Sequence, residues 1–249
     1  MKLHFIDGYI QTILLAEYPD KLMLLDGCSR ADVDNVLQFI TQNLARPITD
    51  LKLTVVTHMH PDHAGAAHKL RDKTGCKIAT ANVDGQWYGG LSGIAMHLTD
   101  ILLTHWVASK HKKSKKWLWY DRKLKPDFKL DHGQCLPLFP EWRVLASTGH
   151  TDRDISLQHT PSNRIYVADL IVAVKGRFIS PYPIFYPDNY KKSVQDIANL
   201  KPHSVILAHG GEVQLSDREF EDVMSHAPNT PKTYLRSLKK ALLKRVYFK

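Results

Sequence analysis

The 249 residues are 43% hydrophobic and 24% charged, ordinary values for a soluble globular protein and enough chain for one large domain. Cys28, Cys76 and Cys135 lack the spacing of a disulfide framework or a cysteine metal site and fit a reducing cytoplasm; no export signal follows Met1, and no run approaches the roughly 18 apolar residues of a membrane span. The net charge of +9 is local, since residues 109–125 hold eight Lys/Arg against one Asp and residues 223–249 seven against no acid, leaving the remainder at −5.

In chain order, Tyr9–Ala16 and Lys21–Asp26 read as strands joined by a turn at Tyr18–Lys21, an opening hairpin that ends at Asp26-Gly27. Asp32–Leu44 is apolar at Val33, Val36, Leu37, Ile40 and Leu44, the period of an amphipathic helix lying on a sheet. Leu51–Thr57 is a buried strand that runs straight into His58-Met-His60-Pro-Asp62-His63. Pro61 keeps the strand from continuing, so these side chains sit on a turn at a strand's C-terminal end, where open α/β sheets place their chemistry. Three crowded imidazoles would repel one another if protonated, and a divalent cation is the natural partner for them and the carboxylate. His58 and His60 alternate and point to one side, while Asp62 and His63, beyond the proline, face a second position nearby. A plain polar turn has no need of this spacing. A helix over Ala64–Lys73, stopped at Gly75, and a strand over Lys77–Ala81 complete a βαβ unit.

Leu91–Val107 reads as a helix with a wide apolar stripe of Leu91, Ile94, Ala95, Leu98, Ile101, Leu102 and Trp106, followed by the basic, Trp-rich Lys110–Tyr120. Three roles are open to it: packing on the body with a solvated basic end, a lid or interfacial anchor with aromatic residues beside lysines, and, least favoured, nucleic-acid contact. Phe128–Leu130, Gln134–Leu138 and Arg143–Ser147 are strands; the last delivers Gly149-His150-Thr151, and Ile155–His159 follows. Arg164–Asp169 is another strand with a carboxylate at its end, which a turn cap would also explain. Lys191–Leu200 is helical, Ser204–Ala208 a strand, and His209-Gly210-Gly211 sets a histidine on a turn that glycine allows to be sharp. Helices over Asp217–His226 and Thr230–Arg245 close the chain, the second basic around Leu235, Leu238, Leu242 and Val246.

His58-x-His60-x-Asp62-His63 after a hydrophobic strand, followed by Ala64-Gly65, resembles the metal-binding signature of the metallo-β-lactamase-fold hydrolases, and the resemblance runs from the opening strands to His209. It implies an α/β fold, a four-layer αβ/βα sandwich forming one domain over residues 1–249, with a helical basic and aromatic insertion at about 86–126. It also implies seven ligands. His58, His60 and His150 would hold a first metal, Asp62, His63 and His209 a second, and Asp169 would bridge both, with Asp26-Gly27 lying beneath. Ser147-Thr148 stands in place of the family's usual proline before Gly149. The cofactors would be two divalent ions, zinc first, with iron and manganese also suited. Such a pair, roughly 3.5–4 Å apart, lowers the pKa of a shared water towards about 7, and the hydroxide attacks a carbonyl or phosphorus while Asp62 orients it or takes its proton. A bridging Asp169 disfavours true β-lactamases and favours the glyoxalase II, lactonase and phosphodiesterase branches. Val172 stands where the best-known lactonases carry tyrosine, and the tail is short for a glyoxalase II. The expectation is a cytoplasmic hydrolase of an ester, thioester or lactone, acting on a small acyl or anionic molecule that enters beneath the insertion. Peripheral membrane contact through residues 91–125 is the further partner expected. Phosphodiesterase or nuclease chemistry, and a non-catalytic membrane- or nucleic-acid-binding protein, are the alternatives.

Overall fold

The computed structural model describes residues 1–234. β1 (Lys2–Asp7) and β2 (Thr12–Glu17) pair antiparallel along their whole length, and β3 (Leu22–Leu24) returns beside β2. The opening hairpin thus begins one strand earlier than expected. β1 is a sheet edge with only Ile6 buried, so it carries little apolar alternation to read. α1 (Val33–Gln38) buries Val33 and Val36, and the expected helix loosens into a π turn over Phe39–Asn43. β4 (Leu51–Val56) lies parallel to β3.

The single helix expected after the histidine run is two, α2 (Pro61–Ala64) and α3 (Ala67–Thr74), because the Ala66 N–H donates to the Cys28 carbonyl at 2.7 Å. α3 ends as expected at Gly75, whose φ of +78° suits glycine. β5 (Lys77–Ala81), α4 (Gly90–Lys110) and β6 (Phe128–Leu130) follow, and β1 to β6 lie in sequence order in one six-stranded sheet.

The second sheet runs β14-β13-β10-β9-β8-β7. Its strands are β7 (Cys135–Leu136), β8 (Phe139–Ala146), β9 (Ile155–His159), β10 (Arg164–Tyr166), β13 (Ser204–Leu207) and β14 (Gly211–Val213). The strand expected over Gln134–Leu138 shrinks to two residues because Leu138 reverses the chain at φ +68°. Between β10 and β13 lie a hairpin that periodicity did not reveal, β11 (Val172–Val174) and β12 (Arg177–Ile179), and then α5 (Pro187–Asn199). The hairpin's signal is Lys175-Gly176, both at positive φ as a tight two-residue turn demands. α6 (Asp217–Ser225) opens with a Ser216–Glu219 capping box. The helix expected over Thr230–Arg245 falls, from residue 235 onward, outside the described residues; before that, Lys232 bridges to Ile184.

The inner faces of the two sheets meet in one apolar layer, with Leu14, Met23, Leu53 and Val55 against Phe139, Trp142, Leu157 and Ile206. Outside the first sheet, α1 and α3 cover Leu15, Leu22 and Leu24 with Val36 and Leu70; outside the second, α5 and α6 cover Val205 and Leu207 with Val194 and Phe220. This is the expected αβ/βα sandwich. Its central layer is densely filled, so emptying it at Trp142 would cost about 3–5 kcal/mol.

α4 contradicts its sequence pattern. The face turned to the body carries Gly93, His97, Asp100, Ile101, Thr104 and Ala108, whereas Leu91, Ile94, Leu98, Leu102 and Trp106 of the expected apolar stripe are exposed. Gly93 allows the close approach, since a Cβ there would stand 2.1 Å from the Tyr88 carbonyl carbon. The helix is held by polar contacts and by Ile101 and Ala108, which join Tyr88, Leu118, Tyr120 and Leu124 over α2 and α3.

Candidate metal centre

Loops at the C-terminal ends of β4, β8, β10 and β13 converge at one end of the sandwich and bring all seven expected side chains together. They form two groups, His58 with His60, His150 and Asp169, and Asp62 with His63 and His209, and within each group the ligand-type atoms lie within 4.8 Å of one another. Five of the seven are buried, and Asp169 and His209 are half-buried. The chain order that delivers them is the order read from the sequence.

In the first group, His60 Nδ1 lies 3.1 Å from His58 Nε2 and 2.8 Å from His150 Nε2. Asp169 Oδ2 stands 3.7 Å from His150 Nε2 and 4.0 Å from His58 Nε2. In the second group, Asp62 Oδ2 is 3.4 Å from His63 Nε2 and 3.2 Å from His209 Nε2. Asp169 Oδ1 is 3.3 Å and 3.4 Å from the same two nitrogens. The carboxylate of Asp169 therefore turns one oxygen to each group. Ala168, immediately before it, holds φ +47°, a left-handed backbone worth about 1–2 kcal/mol of strain in a residue with a Cβ.

Four of the five imidazoles are aimed by a contact at the ring nitrogen turned away from the site, as metal-binding histidines require. His58 Nδ1 meets Thr57 Oγ1 at 3.1 Å, His63 Nδ1 meets Asp26 Oδ2 at 2.6 Å, His150 Nδ1 the Pro183 carbonyl at 2.6 Å, and His209 Nδ1 the Ile10 carbonyl at 3.0 Å. Asp26 also accepts from the Thr57 N–H and hydroxyl and from the Tyr166 hydroxyl at 2.9 Å. Gly27 is needed beside it because a Cβ there would fall 2.0 Å from the His63 carbonyl oxygen. Gly149 likewise passes Tyr190 so closely that a Cβ would sit 2.4 Å from its Cα.

Protonation differs between the groups. Burial and the neighbouring imidazoles hold His58 well below the usual histidine range and His60 at about 3, so both are free to ligate at neutral pH. Burial works against charge on His63 and His209 too, but Asp62 and Asp169 beside them outweigh it and raise both. The same imidazoles keep Asp62 and Asp169 ionised despite their burial. His63 Nε2 and Asp169 Oδ1 are buried without a hydrogen-bond partner. Converging lone pairs, two carboxylates and orphaned polar atoms fit a pair of divalent cations, one with a nitrogen-rich set and one with a mixed nitrogen and oxygen set.

Sequence reading missed Asp100. It projects from α4 to within 3.8 Å of His60 Nε2, accepts from the Tyr88 hydroxyl at 2.7 Å and from Tyr234, and burial pushes its pKa up to about 6. Its signal was a lone acid spaced with His97 and Thr104 on one helix face. Above the groups opens a cleft of about 740 Å³. Leu103, Trp106 and Val107 of α4 face the β11–β12 hairpin across it, with Lys113 and Lys175 also in its lining. Arg122 and Tyr120 tie the segment after α4 to the body through the Tyr88 and Met59 carbonyls, at 2.5 Å each. His132 lies away from the groups and accepts from the Ala146 N–H.

A family model described as metallo-beta-lactamase superfamily matches residues 6–209. The chain is 20% identical over 242 residues to the probable metallo-hydrolase YflN of Bacillus subtilis, covering 87% of this chain and 85% of that one. Among solved structures, the metallo-beta-lactamase family protein TTHA1429 of Thermus thermophilus superposes with a TM-score of 0.70 at 15% identity, over 90% of this chain and 78% of that one. TTHA1623, in a di-iron-bound form, superposes with a TM-score of 0.58 at 17% identity, over 86% and 94%.

Proposed function

Because the chain belongs to the metallo-beta-lactamase superfamily, we propose that it is a metal-dependent hydrolase with a dinuclear site, acting on an ester, thioester or lactone carbonyl. The observation that carries this reading is Asp169, whose two oxygens face two separate clusters of ligand-type atoms. His58, His60 and His150 would hold one ion and Asp62, His63 and His209 the other, with Asp169 shared. Zinc suits both donor sets, and iron or manganese would also be accepted. When bound, such ions supply a water acidic enough to ionise near neutral pH and an electrophile for the carbonyl oxygen.

The chain's own groups do the rest. Asp62, ionised at the cleft floor, orients the attacking water and receives its proton. The imidazoles fixed by Asp26, Thr57, Pro183 and Ile10 cannot swing to follow the substrate, so the site is organised before substrate arrives. Trp106, Val107, Val172 and Val174 offer an acyl chain an apolar channel, and Lys113 and Lys175 offer an anionic group its counter-charge. Closing the floor off from bulk water strengthens every charge interaction there.

Elemental analysis of purified protein, run beside a panel of thioesters, lactones, esters and phosphodiesters, tests the reading. Two ions per chain and turnover of a carbonyl substrate, abolished by chelation, are the expected results. Two bound ions with turnover confined to phosphodiesters, or with none at all, would overturn it.

A further inference from the structure

We propose that the outward ridge of α4, together with the lysines that follow it, docks on a membrane surface rich in anionic lipid. The ridge comprises Leu91, Ile94, Leu98, Leu102 and Trp106, with Leu91 87%, Leu102 68% and Trp106 58% exposed. Between Leu91 and Trp106 of this 21-residue helix it extends for roughly 23 Å. Burying such a stripe inward is what amphipathic helices normally do; here the polar face is the one that is buried, and the apolar face has no cover among the described residues. Trp117 and Trp119 are exposed just beyond it. No described helix is long and apolar enough to cross a membrane, so the geometry is that of a helix lying in the interface plane.

Charge chooses among occupants. Lys110, Lys112, Lys113, Lys115 and Lys116 are all exposed, and among the described residues only Lys113 of these makes an ion pair, with Asp7 at 2.9 Å. A second copy of the chain would bring the same +7 stretch to the contact, and residues 235–249 would bring six further Lys/Arg and no acid. Nucleic acid would satisfy the lysines but leave Leu91, Leu98 and Leu102 in water. An anionic leaflet answers both features, the acyl region taking the leucines and tryptophans and the headgroups the lysines. Trp106 belongs to both the ridge and the cleft lining, so docking sets the cleft mouth at headgroup level. Under the hydrolase reading, that position admits a substrate carrying an acyl chain directly from the lipid phase.

Co-sedimentation of the full chain with phosphatidylcholine vesicles, with and without about one-third phosphatidylglycerol, tests the docking independently of any turnover. Binding to the anionic vesicles alone is expected, weakening as salt rises to about 0.5 M. The double variants L98E/L102E and K112E/K115E should each lower vesicle affinity by about tenfold or more. Both pairs are exposed and outside the cleft lining, so far-ultraviolet circular dichroism and turnover of a short water-soluble substrate should match the parent. Failure to sediment with anionic vesicles would overturn the proposal, as would undiminished binding by L98E/L102E. So would a dimer in light scattering that L98E/L102E dissociates, or ridge protection that disappears when residues 235–249 are removed. Absence of turnover in every protein, with vesicle binding intact, would instead count against the hydrolase reading alone.

Discussion

The floor of the cleft and the helix above it are built on opposite rules. At the floor, charged and polar groups are buried, and four of the five imidazoles have a fixed partner at one ring nitrogen, from Asp26 beneath His63 to the Pro183 carbonyl behind His150. In α4 the polar face is also buried, but its apolar face is turned to water. Both arrangements cost folding free energy if they serve only stability, since buried polar groups gain little net and exposed leucines nothing. Under the proposals above, the floor would have its explanation in ligand geometry, and α4 its own in what it presents outward and in Asp100, which lies 3.8 Å from His60.

Five changes would break or sharpen this contrast. The largest effect belongs to Asp169→Asn, which removes the shared carboxylate; metal content should fall from two ions to at most one per chain, and turnover by more than about 100-fold, beyond the loss of an orienting partner. Asp26→Ala should weaken metal affinity about 10- to 100-fold in competition with a chromophoric chelator, because His63 loses the partner that aims it. The same variant leaves Thr57 and Tyr166 without their acceptor, so the metal-free protein should lose about 1–3 kcal/mol in urea unfolding.

Acid should separate the two groups. Protons compete with metal at His63 and His209, whose pKa values are raised above the usual histidine value, whereas His60 stays unprotonated until about pH 3. As pH falls through neutrality into the weakly acid range, one ion should leave before the other, which dialysis at stepped pH with metal analysis would detect. Simultaneous release would place both groups in one titration. Asp100→Asn keeps the shape but removes the charge beside His60 Nε2, and about a tenfold loss of affinity confined to one ion is expected. Smallest is Leu98→Glu. If the ridge faces water, its unfolding free energy should stay within about 0.5 kcal/mol of the parent, whereas a core leucine lost there would cost about 2–5 kcal/mol.

The same contrast marks what could be read from the chain itself. Ligand residues are constrained in type, spacing and order by the ion they would serve, so His58 to His63, His150, Asp169 and His209 stood out before any coordinates. Strands buried on both faces, such as β4, announced themselves by composition. The orientation of α4 did not, because an apolar stripe looks the same whether it meets a core or a different phase. Asp100 was hidden for a related reason: one acid on a helix gains meaning only when the helix is placed over His60. β1 escaped because an exposed edge strand needs no alternation, and the β11–β12 hairpin because three-residue strands are too short to show a period.

Anomalous scattering at the zinc edge, from crystals of the protein loaded with zinc, asks the central question most directly. Two peaks are expected, one among His58, His60 and His150 and one among Asp62, His63 and His209, each within bonding distance of a different oxygen of Asp169. A single peak, or two that share no oxygen-bearing side chain, would contradict the dinuclear site.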